Sequence, residues 1–151
     1  MIDIEVEDSA WTEALADTAA LVLAAAEATL ASEGAVGEGV SLLLTDDKSL
    51  RDLNRRFRSQ DKPTNVLSFP ALQNPERFLG DVALAYGVCA REAAEQGKPL
   101  KNHLQHLVAH GVFHLLGYDH ESDAQAEEME GLERAVLAGL GIPDPYRAGS
   151  S

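Results

Sequence analysis

The sequence HGVFHLLGYDH occupies residues 110–120 and contains three of the five histidines of the chain. Residues four apart lie on one face of a helix, so His110 and His114 are expected to present their imidazoles to one point. Gly117 can take the left-handed conformation that ends a helix, after which the chain can return His120 to the same point. Three imidazoles with an open fourth position are typical of a catalytic zinc site. We therefore predict one Zn²⁺ per chain, bound by these three histidines.

The residue after the first histidine separates this motif from that of the metzincin proteases, which has the same histidine spacing. Those proteases carry a glutamate general base there, whereas this chain has Gly111. A peptidase would need its base from elsewhere, such as Glu121 or Asp119. His103 and His106 lie on about the same helical stripe, one to two turns too early to bind the same ion. We expect them to support the ligands from behind or to lie at the surface.

Alternation of apolar and polar residues predicts strands at Ile2–Val6 and Gly80–Tyr86. The short apolar run Val40–Leu44 and the proline-bounded segment Val66–Phe69 predict two more. The segments between them predict five helices, at 9–33, 46–57, 87–96, 100–116 and 122–140. Pro63 and Pro70 flank the third strand, which favours a sheet edge or a strand end.

The order of these elements shows no repeat and no strict alternation, which indicates the α+β class. We expect a small mixed sheet of about four strands, covered by about five helices, in a single layered domain with the zinc site on a helix followed by a turn. Residues 1–140 are assigned to that domain. Residues 141–151 contain two prolines and end in Gly-Ser-Ser, so we expect a frayed tail.

The charge of the chain is distributed unevenly. The net charge of -13 argues against a general affinity for nucleic acid or anionic lipid. Residues 48–62, however, hold six of the twelve Lys and Arg with only two acids, so this window carries +4. Such a patch can contact phosphate, or it can be a solvated helix face.

Several features favour a cytoplasmic protein with no membrane partner. The longest uncharged piece of the most apolar region, residues 18–26, is far shorter than the roughly 20 residues that a membrane span needs. The amino-terminal residues are acidic and alternating, unlike a secretory signal. The single cysteine, Cys89, has no internal disulfide partner, which fits a reducing compartment.

The histidine motif resembles the signature of the YbeY proteins, which are bacterial metallo-endoribonucleases of rRNA maturation. Three further blocks resemble the same family: residues 53–58 with 61–70 (LNRRFR and DKPTNVLSFP), residues 79–82 (LGDV) and residues 127–130 (EEME). Together these blocks span most of residues 42–134. The combination is far more specific than the histidine motif alone.

The resemblance implies a single zinc on His110, His114 and His120, and a functional arginine at Arg58. It also implies cleavage of single-stranded RNA, processing of the 3′ end of small-subunit 16S rRNA, and ribosome quality control. Single-stranded RNA and the ribosome or its small subunit are the expected partners. Arg58 and His114 are the predicted catalytic residues, because Arg58 offers a planar, always-charged fork for the scissile phosphate.

Other residues have predicted supporting roles. Arg55, Arg56 and Lys62 are candidates for neighbouring phosphates, or are plain surface. If the third strand is an edge strand beside the zinc, Ser68 reaches the cleft. Asp81 and Asp119 are candidates to accept the second N–H of a zinc ligand; alternatively, Asp81 caps a strand end and Asp119 forms a turn.

Two other functions fit the same residues. One is a metal-dependent peptidase or other hydrolase. The other is a non-catalytic ribosome-associated factor in which zinc only stabilises the turn at Gly117. The oligomeric state, the general base and the attacking group, water or a 2′-hydroxyl, stay open at the level of the sequence.

Overall fold

The computed structural model describes residues 1–62 and 64–146. Its helices and strands follow in the order β1 (Ile2–Val6), α1 (Ala10–Ala14), α2 (Thr18–Ser32), β2 (Gly39–Thr45), α3 (Asp47–Arg58), β3 (Val66–Pro70), β4 (Phe78–Ala85), α4 (Tyr86–Glu95), α5 (Leu100–Leu115) and α6 (Asp123–Gly139). The predicted α+β class is confirmed. Within the described residues, no helix combines the length and the hydrophobicity that a membrane crossing requires.

The four strands form one mixed sheet in the order β1-β2-β4-β3. β1, β2 and β4 run parallel, whereas β3 pairs antiparallel with β4 and lies at the edge. The edge position is one of the two alternatives that the flanking prolines favoured. Pro70 is the last residue of β3, and Pro63 lies outside the described residues.

The two faces of the sheet are covered unequally. α2 and α5 pack on one face, where Leu42, Val82 and Val112 are fully buried in the main core. α3 packs on the opposite face through Leu50 and Leu53 and covers only part of it. α5, the histidine-bearing helix, also contacts α4 and α6, so it is held on several sides.

The segment predicted as one helix over 9–33 forms two helices, α1 and α2, which makes six helices in the described residues instead of five. Leu15 is extended between them, and the Thr18 hydroxyl donates to the carbonyl oxygens of Trp11 and Leu15. This side-chain contact competes with the backbone bonds of a continuous helix. Trp11 is fully buried, and its indole N–H donates to the Thr45 carbonyl at 3.0 Å, which fixes α1 against β2.

The predicted tail is described only as far as residue 146, and residues 147–151 lie outside the described residues. Ile142 is buried, and the Tyr146 hydroxyl donates to the Glu133 carboxylate at 2.6 Å. These contacts attach residues 141–146 to the rest of the fold. Fraying beyond them stays a prediction.

Gly111 lies at the contact between α5 and the sheet. A Cβ atom at this position would lie 2.7 Å from Cγ1 of Val82 and 3.3 Å from the hydroxyl oxygen of Ser68. The Ser68 hydroxyl donates to the Gly111 carbonyl at 3.0 Å. The packing of α5 against β3 and β4 therefore excludes the glutamate that metzincins carry at this position.

We expect Gly111→Ala to lower the free energy of unfolding by about 1–3 kcal/mol, because the added methyl group overpacks the contact with Val82. Gly131→Ala in α6 is the matched control. A Cβ atom at Gly131 meets nothing within 4 Å, and removing a glycine from a helix interior stabilises by roughly 0.5–1 kcal/mol. Urea unfolding measures both changes. A Gly111→Ala protein as stable as the wild type would contradict this account of the contact.

Candidate metal centre

The carboxyl end of α5 is a Schellman turn. Gly117 has a φ of 103°. Its N–H donates to the His114 carbonyl at 3.0 Å, and the Tyr118 N–H donates to the Phe113 carbonyl at 3.1 Å. The predicted glycine stop is confirmed, and the turn brings the segment up to His120 back beside the helix.

The three histidines of residues 110–120 converge at this turn. The Nε2 atoms of His110 and His114 lie 3.1 Å apart. The ring centroid of His120 lies 5.6 Å from that of His110 and 5.0 Å from that of His114. One ligand atom from each residue lies within 4.8 Å of the others, so the group can hold a metal ion. His110 and His114 are partly buried and His120 is exposed.

The second nitrogen of each helical histidine faces a hydrogen-bond acceptor. His110 Nδ1 donates to the Glu133 carboxylate at 2.9 Å, and His114 Nδ1 donates to the Tyr118 carbonyl at 2.9 Å. A carbonyl and an ionised carboxylate only accept, so in the neutral rings Nδ1 carries the proton and Nε2 keeps its lone pair. The short Nε2–Nε2 contact therefore brings two lone pairs together, an arrangement that a shared cation stabilises.

The spacing of these two nitrogens suits a transition-metal ion. Two nitrogen ligands at 2.0–2.1 Å from a tetrahedral Zn²⁺ are about 3.3–3.4 Å apart, close to the 3.1 Å between His110 and His114. Neutral imidazole also binds copper, iron and nickel. The donor set fits a metal and does not by itself select zinc among these ions.

Glu133 lies at the centre of a hydrogen-bond network behind the histidines. Its side chain is 0% exposed, and it accepts hydrogen bonds from His106 Nε2 at 2.7 Å, the Tyr146 hydroxyl at 2.6 Å and His110 Nδ1 at 2.9 Å. Burial by itself raises the pKa of Glu133, but the hydrogen bonds from His106, His110 and Tyr146 outweigh it and lower the pKa to about 2. The carboxylate is therefore ionised and fixes the orientation of His110.

Sequence reasoning missed Glu133, although a partial signal exists. The residues one turn before and after it on α6, Met129 and Leu137, are buried. A carboxylate within an apolar helix stripe is seldom buried unless it is paired. Its partner depends on how α6 packs against α5, which residue spacing does not reveal.

The electrostatics favour the metal-binding form of His114. Burial lowers the pKa of His114, and the neighbouring His110 and His120 lower it further, despite the opposing effect of the Tyr118 carbonyl. The ring therefore stays neutral, with a free Nε2 lone pair, to a lower pH than an exposed histidine.

A cavity of about 500 Å³ opens in front of the histidines and has β3 as one wall. Arg58, at the end of α3, and Ser68, in β3, line this cavity together with the three histidines. An Arg58 guanidinium N–H donates to the Ser68 carbonyl at 2.8 Å. The Ser68 hydroxyl is committed to Gly111. The two predicted catalytic residues, Arg58 and His114, thus share one cavity.

The predicted phosphate contacts differ in how they are paired. Arg55 lies 3.5 Å from the carboxylate of Asp52. Arg56 and Lys62 form no ion pair among the described residues, and both are exposed. The Arg56 guanidinium lies over the ring of Phe57, 5.9 Å from its centroid.

A comparison with known proteins identifies the family. The family model described as endoribonuclease YbeY matches residues 1–141. The chain belongs to the YbeY family. A curated protein named endoribonuclease YbeY from Azorhizobium caulinodans is 54% identical over 96% of this chain and 95% of its own length. A protein of that name from Rhodopseudomonas palustris is 51% identical over 95% of this chain and 80% of its own.

The fold comparison agrees with the YbeY assignment. The solution structure of TM1509 from Thermotoga maritima matches this chain with a TM-score of 0.58 and 26% sequence identity, over 97% of this chain and 99% of the other. The resemblance inferred from the histidine motif and its flanking blocks is therefore confirmed.

The two aspartates predicted to support a zinc ligand in this YbeY protein lie elsewhere or act differently. Val82 packs against Gly111 in α5, and successive strand residues face opposite sides, so Asp81 faces the other side of the sheet. The predicted contact of Asp81 with a ligand is therefore corrected. Asp119 accepts a hydrogen bond from the backbone N–H of His120 at 2.8 Å and lies 4.0 Å from His120 Nδ1, so it shapes the turn.

His103 and His106 are both buried, which corrects the surface alternative. His103 Nε2 lies 2.9 Å from the Glu92 carboxylate. His106 contacts Glu133 and through it supports His110, which agrees with the other predicted role.

We expect Glu133→Gln to weaken zinc binding by about 10- to 100-fold. The neutral amide of glutamine is a weaker acceptor for His110 Nδ1 than the ionised carboxylate, so the orientation of the His110 ring is less well fixed. Glu130→Gln is the matched control, since Glu130 lies on the same helix and its one ion pair among the described residues is with the surface residue Arg134, at 3.6 Å. Competition with a chromogenic chelator at fixed pH measures the affinity of folded protein, which circular dichroism verifies. Equal zinc affinity of both variants would show that Glu133 does not position the ligand.

Proposed function

We propose that this chain, an endoribonuclease of the YbeY family, depends on zinc and cleaves single-stranded RNA. The observation that carries the proposal is the shared cavity, in which three imidazoles converge beside Arg58. Arg58 forms no ion pair among the described residues, so its charge is available to a phosphate. Zinc is proposed because three imidazoles with an open position are typical of catalytic zinc. A structural zinc would be expected to have four protein ligands.

The residues of the cavity divide the chemistry between them. When bound, a zinc ion would supply Lewis acidity and would lower the pKa of a coordinated water to about 7. His110 and His114 would hold the ion through their Nε2 lone pairs, because their Nδ1 protons are committed to Glu133 and Tyr118. Arg58 is oriented by Ser68, and its remaining N–H groups can hold the scissile phosphate and stabilise charge as the bond breaks.

The geometry favours a phosphate substrate over a peptide. The position of the metzincin general base is Gly111, where no side chain fits. Asp119 is the only carboxylate among the described residues that line the cavity, and it accepts a hydrogen bond from the His120 backbone. The Arg58 guanidinium on the cavity wall, which has no carboxylate partner among the described residues, complements a phosphodiester.

We further propose that the cellular substrate is rRNA, with processing of the 3′ end of 16S rRNA and ribosome quality control as its roles. The family resemblance supports this, and the ribosome or its small subunit would be the partner. Residues 1–140 would form the catalytic domain, acting in the cytoplasm. The charge distribution is compatible with such a role, because an acidic protein with local cations at α3 avoids general nucleic-acid binding.

We expect wild-type protein to cleave a single-stranded RNA oligonucleotide, and Arg58→Ala to cleave it about 100-fold more slowly with unchanged zinc content. A loss of that size is typical when one contact to transition-state charge is removed. Arg51→Ala is the matched control, because Arg51 lies on the same helix, pairs with Asp61 at 2.8 Å and is not among the predicted RNA contacts. His114→Ala should lose both zinc and activity.

Four identically prepared proteins separate the outcomes. Equal cleavage by all of them would indicate a contaminating ribonuclease. Absence of cleavage by wild type that carries one zinc per chain would refute intrinsic ribonuclease activity. If Arg58→Ala and Arg51→Ala both cleave as fast as wild type, Arg58 has no part in the chemistry.

A further inference from the structure

A second cleft lies beside the metal cavity, between α3 and the uncovered part of the sheet. Its volume is about 680 Å³, and Arg58, Ser68 and Pro70 line both this cleft and the metal cavity. We propose that the cleft is a nucleobase subsite, which receives the base of a nucleotide next to the scissile phosphate of a single-stranded RNA. The inference rests on the proposed endoribonuclease function and specifies where the RNA continues beyond the metal centre.

The cleft is lined by aromatic and apolar side chains that remain accessible. Phe57 is 62% exposed despite its size. Its ring meets that of Phe69 edge-on, with the centroids 5.4 Å apart and an interplanar angle of 66°. Leu43 and Leu53 continue this apolar surface. Nucleobases of every type stack on aromatic rings, and proteins that bind single-stranded RNA use such rings to hold successive bases.

The cations beside the cleft suit the backbone of a nucleotide. Arg58 lies at the junction with the metal cavity, and the Arg56 guanidinium lies over the Phe57 ring. Neither arginine forms an ion pair among the described residues. A base stacked at Phe57 would thus place its phosphates near two available cations, one of which also faces the metal cavity.

The acidic residues that line the cleft favour a nucleobase over a phosphate group. Glu5 and Asp81 both line it. Asp81 is the register partner of Ser41 in β2 and of Phe69 in β3, so the three side chains share one face of the sheet. A carboxylate repels phosphate but accepts hydrogen bonds from the N–H groups of base edges. The charges therefore favour an orientation with the phosphate at the arginines and the base inside.

The test compares how wild type and Phe57 variants bind intact RNA and RNA from which one base has been removed. A series of short single-stranded RNAs is made in which one base is removed at each position in turn. Their dissociation constants from the zinc-loaded protein are measured by stopped-flow fluorescence anisotropy, within the first turnover. Phe57→Leu keeps an apolar side chain but loses stacking, whereas Phe57→Tyr keeps stacking. Val36→Ala is the control for loss of an exposed apolar residue, since Val36 lines a different cleft.

For wild type, we expect removal of one particular base to weaken binding roughly 5- to 150-fold. Phe57→Leu should weaken binding of intact RNA by a similar factor and should become insensitive to removal of that base. Phe57→Tyr and Val36→Ala should behave like wild type. If removal of that base weakens RNA binding by Phe57→Leu as much as it weakens binding by wild type, the subsite does not exist. That result is independent of cleavage, so failure of the ribonuclease proposal and failure of the subsite are distinguishable.

Discussion

The orientation of two imidazoles by acceptors on their Nδ1 side is the interaction on which the site depends. Glu133 and the Tyr118 carbonyl determine which nitrogen of His110 and His114 carries the proton, and so direct both Nε2 lone pairs to one point. These acceptors belong to different parts of the fold, α6 and the turn after α5. Burying an ionised Glu133 is costly, and the cost is offset by its three hydrogen-bond donors. The metal site therefore forms only when both helices are packed.

Ser68 connects the metal ligands with the phosphate-binding cation. Its hydroxyl donates to Gly111 in α5, and its carbonyl accepts from Arg58 at the end of α3. α5 and α3 lie on opposite faces of the sheet, and an edge strand such as β3 keeps backbone carbonyls that no neighbouring strand occupies, so that one of them can accept from Arg58. The edge position of β3 is thus a condition for bringing Arg58 and the histidines into one cavity, and the incomplete cover by α3 leaves the adjoining cleft open.

Much of this architecture is readable from local patterns in the sequence. The spacing of His110 and His114, the glycine at 117 and the prolines around β3 each have a direct backbone consequence, and the structure has those features. Long-range contacts are not readable in this way. The break between α1 and α2 depends on the burial of Trp11 and the hydroxyl of Thr18, and the role of Glu133 depends on packing between α5 and α6. The prediction for Asp81 was wrong because the register of β4 determines which of its side chains face α5. The sequence motif around Asp81 does not reveal that register.

X-ray diffraction at the zinc absorption edge tests the central claim most directly. For crystals of the zinc-loaded protein, the account predicts one strong anomalous peak per chain, about 2.0–2.1 Å from Nε2 of both His110 and His114 and from a ring nitrogen of His120. Glu133 should remain hydrogen-bonded to His110 Nδ1. A peak bound elsewhere, or a His110 ring turned so that Nδ1 binds the ion, would contradict the account.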